Sequence, residues 1–266
     1  MSTTTYTDAH PRLLREAIRA GRLTGHTAGL SQGFVQTNLV ILPAADAADF
    51  AEFCRQNSRA CPLVEQTSPG NPEPTRSAPG SDLRTDTPRY RVFRAGIPEA
   101  DEPTDVTPLW REDFVGFLLG CSFTFETALS AAGLTPRHVS EGCNVPMFRT
   151  NVPCAPAGRF AGPLVVSMRP YRVDQIEQVI EITGRYPEMH GAPIHIGDPA
   201  ALGIADITRP DFGDAVTVGD DEIPVFWACG VTPQLALLAA APEIAITHSP
   251  GCMFVTDWKE EAFCQS

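Results

Sequence analysis

Apolar residues along this chain fall into unbroken runs and helically spaced stripes, and two of the runs are organised alike. Phe114 to Leu119 and Ile223 to Ala228 are continuous apolar stretches of strand length, the pattern of a buried strand. Each runs into a cysteine-bearing turn and then into an alanine- and leucine-rich stretch of helical composition. The turns align residue for residue: Cys121-Ser-Phe-Thr124-Phe-Glu126-Thr-Ala128-Leu129 against Cys229-Gly-Val-Thr232-Pro-Gln234-Leu-Ala236-Leu237. Cys, Thr, Ala and Leu match, Ser faces Gly, and Glu faces Gln. A strand–turn–helix unit is therefore predicted twice, with Thr124 and Thr232 as N-caps. Pro233 falls at the first helical position, where its missing N–H costs nothing. The expected fold class is α/β, with these pseudo-duplicated units in a mixed sheet and their turns facing one another across one cleft.

The remaining pattern fills in around them. Leu13, Leu14, Ala17 and Ile18 predict a helix over 10–20 closed by Gly21, and Phe50 and Phe53 mark the apolar stripe of another over 44–57. Between the two, a glycine-rich passage feeds a strand, Phe34 to Leu42, interrupted by amides. Gln36 and Asn38 share one face of it, so they address one polar site or tie down a neighbouring loop. Residues 67–82, rich in Pro, Gly and Ser, read as an exposed loop at the edge of a mobile lid. Next come Arg84, Arg89, Tyr90 and Arg91, either a carboxylate clamp or a loop held by Arg–Asp pairs. A strand at 164–170, a helix at 173–185 and a strand running into a turn at 192–199 form a β-α-β piece between the cysteine units. This piece is expected to be a smaller inserted α+β domain, 144–212, set into a main α/β domain made of 1–143 together with 213–266. A strand, a turn and a final strand close the chain over 244–257.

Composition and charge narrow the function. A 43% hydrophobic chain of 266 residues buries a sizeable core. Net charge is −12 with no basic run, which argues against a nucleic-acid partner. No apolar stretch approaches the roughly 20 residues that span a membrane. Met1 to His10 lacks the layout of a secretory signal, so a cytoplasmic location with reduced thiols is expected. The eight cysteines contain no CxxC pair. A small acidic metabolite is the expected partner, and a homodimer is the expected assembly from the frequency of two-fold oligomers.

Candidate chemistry centres on the two turns. A thiol just ahead of a helix N-terminus lies in a positive local field that favours thiolate, and the same place binds carboxylates. No GxSxG, GxGxxG or GxxxxGK is present, which disfavours a serine hydrolase or a nucleotide enzyme, and no cofactor is expected. His190, His195, Asp198, His248 and Asp257 are metal-capable types, but none shows HxxxH or HxH spacing, so no metal is assigned. Cys121, Glu126, Cys229, His195 and His248 are the candidate proton carriers. Ser122, Thr124, Gly230, Thr232, Asp198, Arg84 and Asn38 are the candidate substrate-binding residues.

Four blocks in order carry a resemblance: Gly120-Cys-Ser-Phe-Thr-Phe-Glu126, His190-Gly-Ala-Pro-Ile-His-Ile-Gly-Asp-Pro199, Pro224-Val-Phe-Trp-Ala-Cys-Gly-Val-Thr-Pro-Gln234, and Thr247-His-Ser-Pro-Gly251 on to Asp257. Together they resemble the hydro-lyase family that includes D-glutamate cyclase. The resemblance implies a cytoplasmic lyase that removes water, and in the cyclase it implies conversion of D-glutamate to 5-oxo-D-proline. Cyclisation needs a base for the ammonium proton, donors for a developing oxyanion and an acid for the leaving oxygen. Two other classes fit the residues, a two-cysteine amino-acid racemase or epimerase and a non-catalytic binder of an acidic metabolite.

Overall fold

The computed structural model describes residues 6–265; residues 1–5, part of the stretch read above for a leader pattern, lie outside it. Its larger sheet has seven strands. These are β1 (Phe34–Pro43), β2 (Leu63–Gln66), β3 (Tyr90–Arg94), β4 (Ile97–Pro98), β5 (Phe114–Gly120), β10 (Ile244–His248) and β11 (Phe254–Lys259). They run in the order β2-β5-β1-β10-β3-β4, with β11 also pairing β1. The smaller sheet has four strands: β6 (Met147–Pro153), β7 (Pro163–Arg172), β8 (His195–Ile196) and β9 (Glu222–Ala228), in the order β6-β7-β9-β8. The helices are α1 (Pro11–Arg19), α2 (Ala44–Gln56), α3 (Phe123–Ala131), α4 (Arg137–Glu141), α5 (Ile176–Gly184) and α6 (Thr232–Ala240).

The unbroken apolar runs follow from burial on both faces. Val40 and Leu42 of β1 and Val115, Phe117 and Leu119 of β5 point into a core shared with α2, α6 and the second sheet. Leu39, Ile41, Phe114 and Leu118 point the other way, into a core closed by β3 and the loop carrying Ala78 and Leu83. On the first face Phe50 of α2 meets Phe117 edge-on at 4.9 Å and Phe160 at 5.3 Å, so one helical aromatic fastens α2 to the sheet through two ring contacts.

The α/β class holds, and the structure corrects several details of it. Every strand pairing among the described residues is antiparallel, so neither sheet is mixed. β9, the strand of the second cysteine unit, pairs with β7 and β8, so the smaller sheet runs past residue 212 and takes in this strand. The two units therefore stand in different sheets. The segment 67–82 packs down rather than forming an exposed lid edge. The buried Glu65 carboxylate accepts the Arg76 and Ser77 N–H groups at 3.0 and 2.9 Å, and Ser77 and Ala78 are fully buried. Composition alone cannot show a carboxylate from a neighbouring strand doing this. No helix among the described residues is long and apolar enough to cross a membrane.

Candidate active site

The two cysteine turns share their first backbone contacts. Thr124 N–H donates to the Cys121 carbonyl at 3.1 Å, and Thr232 N–H to the Cys229 carbonyl at 3.0 Å. The Phe123 N–H faces the Cys121 thiol as the Val231 N–H faces that of Cys229. Even the Glu126/Gln234 correspondence persists: Glu126 accepts from Arg169, and Gln234 Oε1 accepts from Arg91 Nη1 at 3.3 Å. Asn38 of β1 stands between the turns. Its Nδ2 donates to the Gly120 carbonyl at 2.8 Å, and its amide fills the space beside Gly230, where an added Cβ would lie 1.9 Å from Nδ2. Gly230 therefore permits the second turn to close on β1.

Between the turns lies a narrow cleft lined by Asn38, Cys121, Ser122, His190, Cys229, Gly230 and His248, with Asn144 at one side. Six sequence candidates thus come together here: Cys121, Cys229, His248, Ser122, Gly230 and Asn38. Both thiols are more weakly acidic than free cysteine. Burial pushes Cys121 far up and Cys229 to about 11, and the N–H groups at the helix starts only partly offset it. The expected thiolates give way to neutral thiols because desolvation outweighs the helix-end field. Alkylation should show this: at pH 7.5 Cys229 should react roughly 100-fold more slowly than a thiol of ordinary acidity, with its rate climbing about tenfold per pH unit through pH 10. Peptide mass spectrometry, with free N-acetylcysteine as reference, measures it. Equal rates for Cys229 and the free thiol would contradict burial as the controlling influence.

Two histidines face the cleft in opposite tautomers. His248 fills a gap in the sheet. β1 passes from β11, at Thr37 opposite Phe254, to β10, at Val40 opposite Thr247, and Leu39 between them pairs with neither strand. The Leu39 N–H instead donates to His248 Nδ1 at 3.1 Å. The Leu39 carbonyl lies farther, at 3.3 Å, so we assign Nδ1 as the acceptor and the hydrogen to Nε2. Nε2 is buried without a partner. In His190 the assignment reverses, because Nδ1 lies 2.7 Å from the Arg59 carbonyl, which can only accept. Nδ1 there carries the hydrogen and Nε2 keeps its lone pair. Burial lowers both rings to about 4, against smaller upward pulls from backbone carbonyls, so both are neutral near pH 7. His190 adopts a left-handed backbone, φ 78°. The turn before it presses on Gly120, where an added Cβ would lie 2.0 Å from the Glu188 carbonyl.

Glu126 is not free to carry protons. Burial pushes its carboxyl up, but the charges and hydrogen bonds of His138 and Arg169 overcome this and hold it below the ordinary value. One oxygen accepts from Arg169 Nε at 3.0 Å, and the carboxylate also meets His138 Nε2 at 3.2 Å. Thr124 and Thr232 cap nothing: α3 starts at Phe123 and α6 at Thr232. The Thr232 hydroxyl accepts instead from the Val165 N–H of β7 at 3.0 Å, while Thr124 Oγ1 is buried without a partner. His195 and Asp198 lie outside the cleft lining, with His195 Nε2 at 2.7 Å from the Asp198 carbonyl and the Asp198 carboxylate capping Ala200 N–H at 2.9 Å. The arginine clamp resolves into internal pairs: Arg84 with Asp82, Arg89 with the Thr24 carbonyl, Arg91 with Glu102. Asp257 pairs with the buried Arg15 at 2.9 Å. No group of three or more His, Cys, Asp or Glu side chains among the described residues is placed to hold a metal ion. His138, Asn144 and Arg169 are not among the sequence candidates, and His190 is there only as a metal-capable type. For His190 the one local signal was its place beside Gly191 in a resembling block.

Known proteins match this chain along most of its length. A family model described as D-glutamate cyclase matches residues 115–257, from β5 to the last strand. A protein of Rubrobacter xylanophilus named "Putative hydro-lyase" is 59% identical, over 94% of this chain and 96% of its own length. A "Putative hydro-lyase" of Stutzerimonas stutzeri is 52% identical over 98% of both chains, and "Putative hydro-lyase YcsI" of Bacillus subtilis is 50% identical over 95% of this chain and 98% of its own.

Proposed function

The chain belongs to the D-glutamate cyclase family of hydro-lyases and is a carbon–oxygen lyase; from that premise we propose that it closes D-glutamate to 5-oxo-D-proline with release of water. The observation that carries the reading is the pair of neutral imidazoles in one cleft, one offering a lone pair at His190 Nε2 and the other a hydrogen at His248 Nε2.

The reaction asks for such a pair. The α-nitrogen must shed two protons, its lone pair must attack the γ-carboxyl carbon, and one γ-oxygen must take up two protons and leave as water. His190 takes the first proton from the ammonium and returns it to a γ-oxygen once the C–N bond has formed. It then takes the second from the ring nitrogen and delivers it to the departing hydroxyl, ending unchanged. The bound carboxylates place negative charge near the ring, which raises its basicity in the complex. His248 serves as a hydrogen-bond donor to the oxyanion, since giving up its only hydrogen would leave an imidazolate. The N-termini of α3 and α6 receive the two carboxylates of the substrate, one each. A two-cysteine racemase would need a resting thiolate, which burial of Cys121 and Cys229 opposes.

NMR in heavy water with D-glutamate and with 5-oxo-D-proline tests the reading. Interconversion of the two without deuterium at Cα is expected. Deuterium entering Cα with no loss of water would replace cyclisation with racemisation, and binding without turnover would make the protein a metabolite binder.

A further inference from the structure

We infer that Ser122 is a catalytic hydrogen-bond donor of this cyclisation and that Arg169 is the residue that positions it; the inference rests on the reading of the cleft given above. Ser122 follows Cys121 in the first turn and lines the cleft. Its Oγ accepts from Arg169 Nη2 at 3.0 Å. That is its sole hydrogen bond among the described residues, so the hydroxyl hydrogen is left for the cleft. Accepting from a guanidinium polarises a hydroxyl and makes its own hydrogen a stronger donor.

Arg169 is unusually constrained for such a role. It is 0% exposed and lies between the rings of Phe125 and Trp227, with its carbon at 5.5 and 5.3 Å from their centroids. Nε and Nη2 hold Glu126, and Nη1 donates to Ser167 Oγ at 3.0 Å. With every contact fixed inside the protein, its remaining direction of influence is Ser122. The repeated unit provides an internal comparison. At the position matching Ser122 the second turn has Gly230, and Asn38 occupies the space a side chain would need. At this turn position the two copies diverge, with one supplying a hydroxyl and the other admitting an amide. As the α-nitrogen attacks, negative charge gathers on the γ-oxygen. Ser122 donates a hydrogen bond to it, alongside His248, without giving up its proton.

Ser122→Ala should lower kcat about 100-fold while KM moves less than about threefold, the split of a donor used in the transition state. Arg169→Lys, which keeps a cation for Glu126 but not the fork that also reaches Ser122, should lower kcat in the same direction. Adding Ser122→Ala to it should cost little more. A kcat for Ser122→Ala within about threefold of wild type overturns the inference, and this holds even if Arg169→Lys fails to fold. Should the wild-type protein not turn over D-glutamate, the function reading fails. Ser122 is then judged by NMR titration with 2-amino-4-phosphonobutanoate, whose tetrahedral anionic oxygens stand in for the oxyanion: weakening of Kd by about fivefold or more in Ser122→Ala upholds a cleft-facing donor, and an unchanged Kd removes it.

Discussion

Arg169→Met should destabilise the protein by about 3–5 kcal/mol, because it leaves the Glu126 carboxylate buried without its cation. In a chain of this size that lowers Tm by roughly 10 °C. Arg169 and Glu126 are 0% and 5% exposed, so water cannot substitute for the lost partner. Adding Glu126→Gln should recover part of the loss, since the charge needing a partner is gone. The pH dependence has a definite sign. In the wild type Glu126 is held below its ordinary 4.5, so its contribution is present above about pH 4.5 and lost as pH falls. In Arg169→Met burial prevails and its value rises, so the group favours folding below about pH 4.5 and opposes it as pH rises. The difference between variant and wild type should therefore be larger at pH 7 than at pH 4. Urea unfolding at the two pH values measures it, and a variant within about 1 kcal/mol of wild type at pH 7 would show the pair to be dispensable.

The largest effect on turnover is expected at His190. Glutamine keeps a similar size and can donate to the Arg59 carbonyl, but it has no basic nitrogen. His190→Gln should lower kcat about 100- to 10,000-fold with the fold intact. In the wild type kcat/KM should fall as pH drops toward about 4, where the free ring takes up a proton. The corresponding limb of kcat should lie higher, because bound carboxylates favour the charged ring. Added imidazole should restore part of the activity of a smaller replacement, His190→Ala, if the lone pair is what the reaction uses. Turnover of His190→Gln near wild type would remove the base from this side of the cleft.

Much of the framework was legible along the chain, and what escaped was pairing. β1, β5 and α2 are local patterns, and their bounds lie within a residue or two of those expected. The cysteine units were visible because composition and order repeat. That β5 and β9 belong to separate sheets was not, since an apolar run carries no mark of its neighbour. Glu126 looked like a proton carrier because nothing near it in sequence reveals Arg169, 43 residues away, or the helix turn that brings His138 to it. Thr124 and Thr232 looked like caps for the same reason: Val165, which takes the hydroxyl of Thr232, lies 67 residues away. His195 and Asp198 share a resembling block with His190, but the short β8 carries them away from the cleft lining. The strand expected over 192–199 shrinks to two paired residues, with Pro193 and Gly197 on either side.

Asn38 touches a turn from each sheet, one through its amide hydrogen and one through the room left at Gly230. Neither layer owns the cleft; it exists where the layers meet. Its shape is thus a gauge of how squarely they are seated, and a shift of a fraction of an ångström between them would separate the lone pair from the opposing N–H while leaving each layer internally whole.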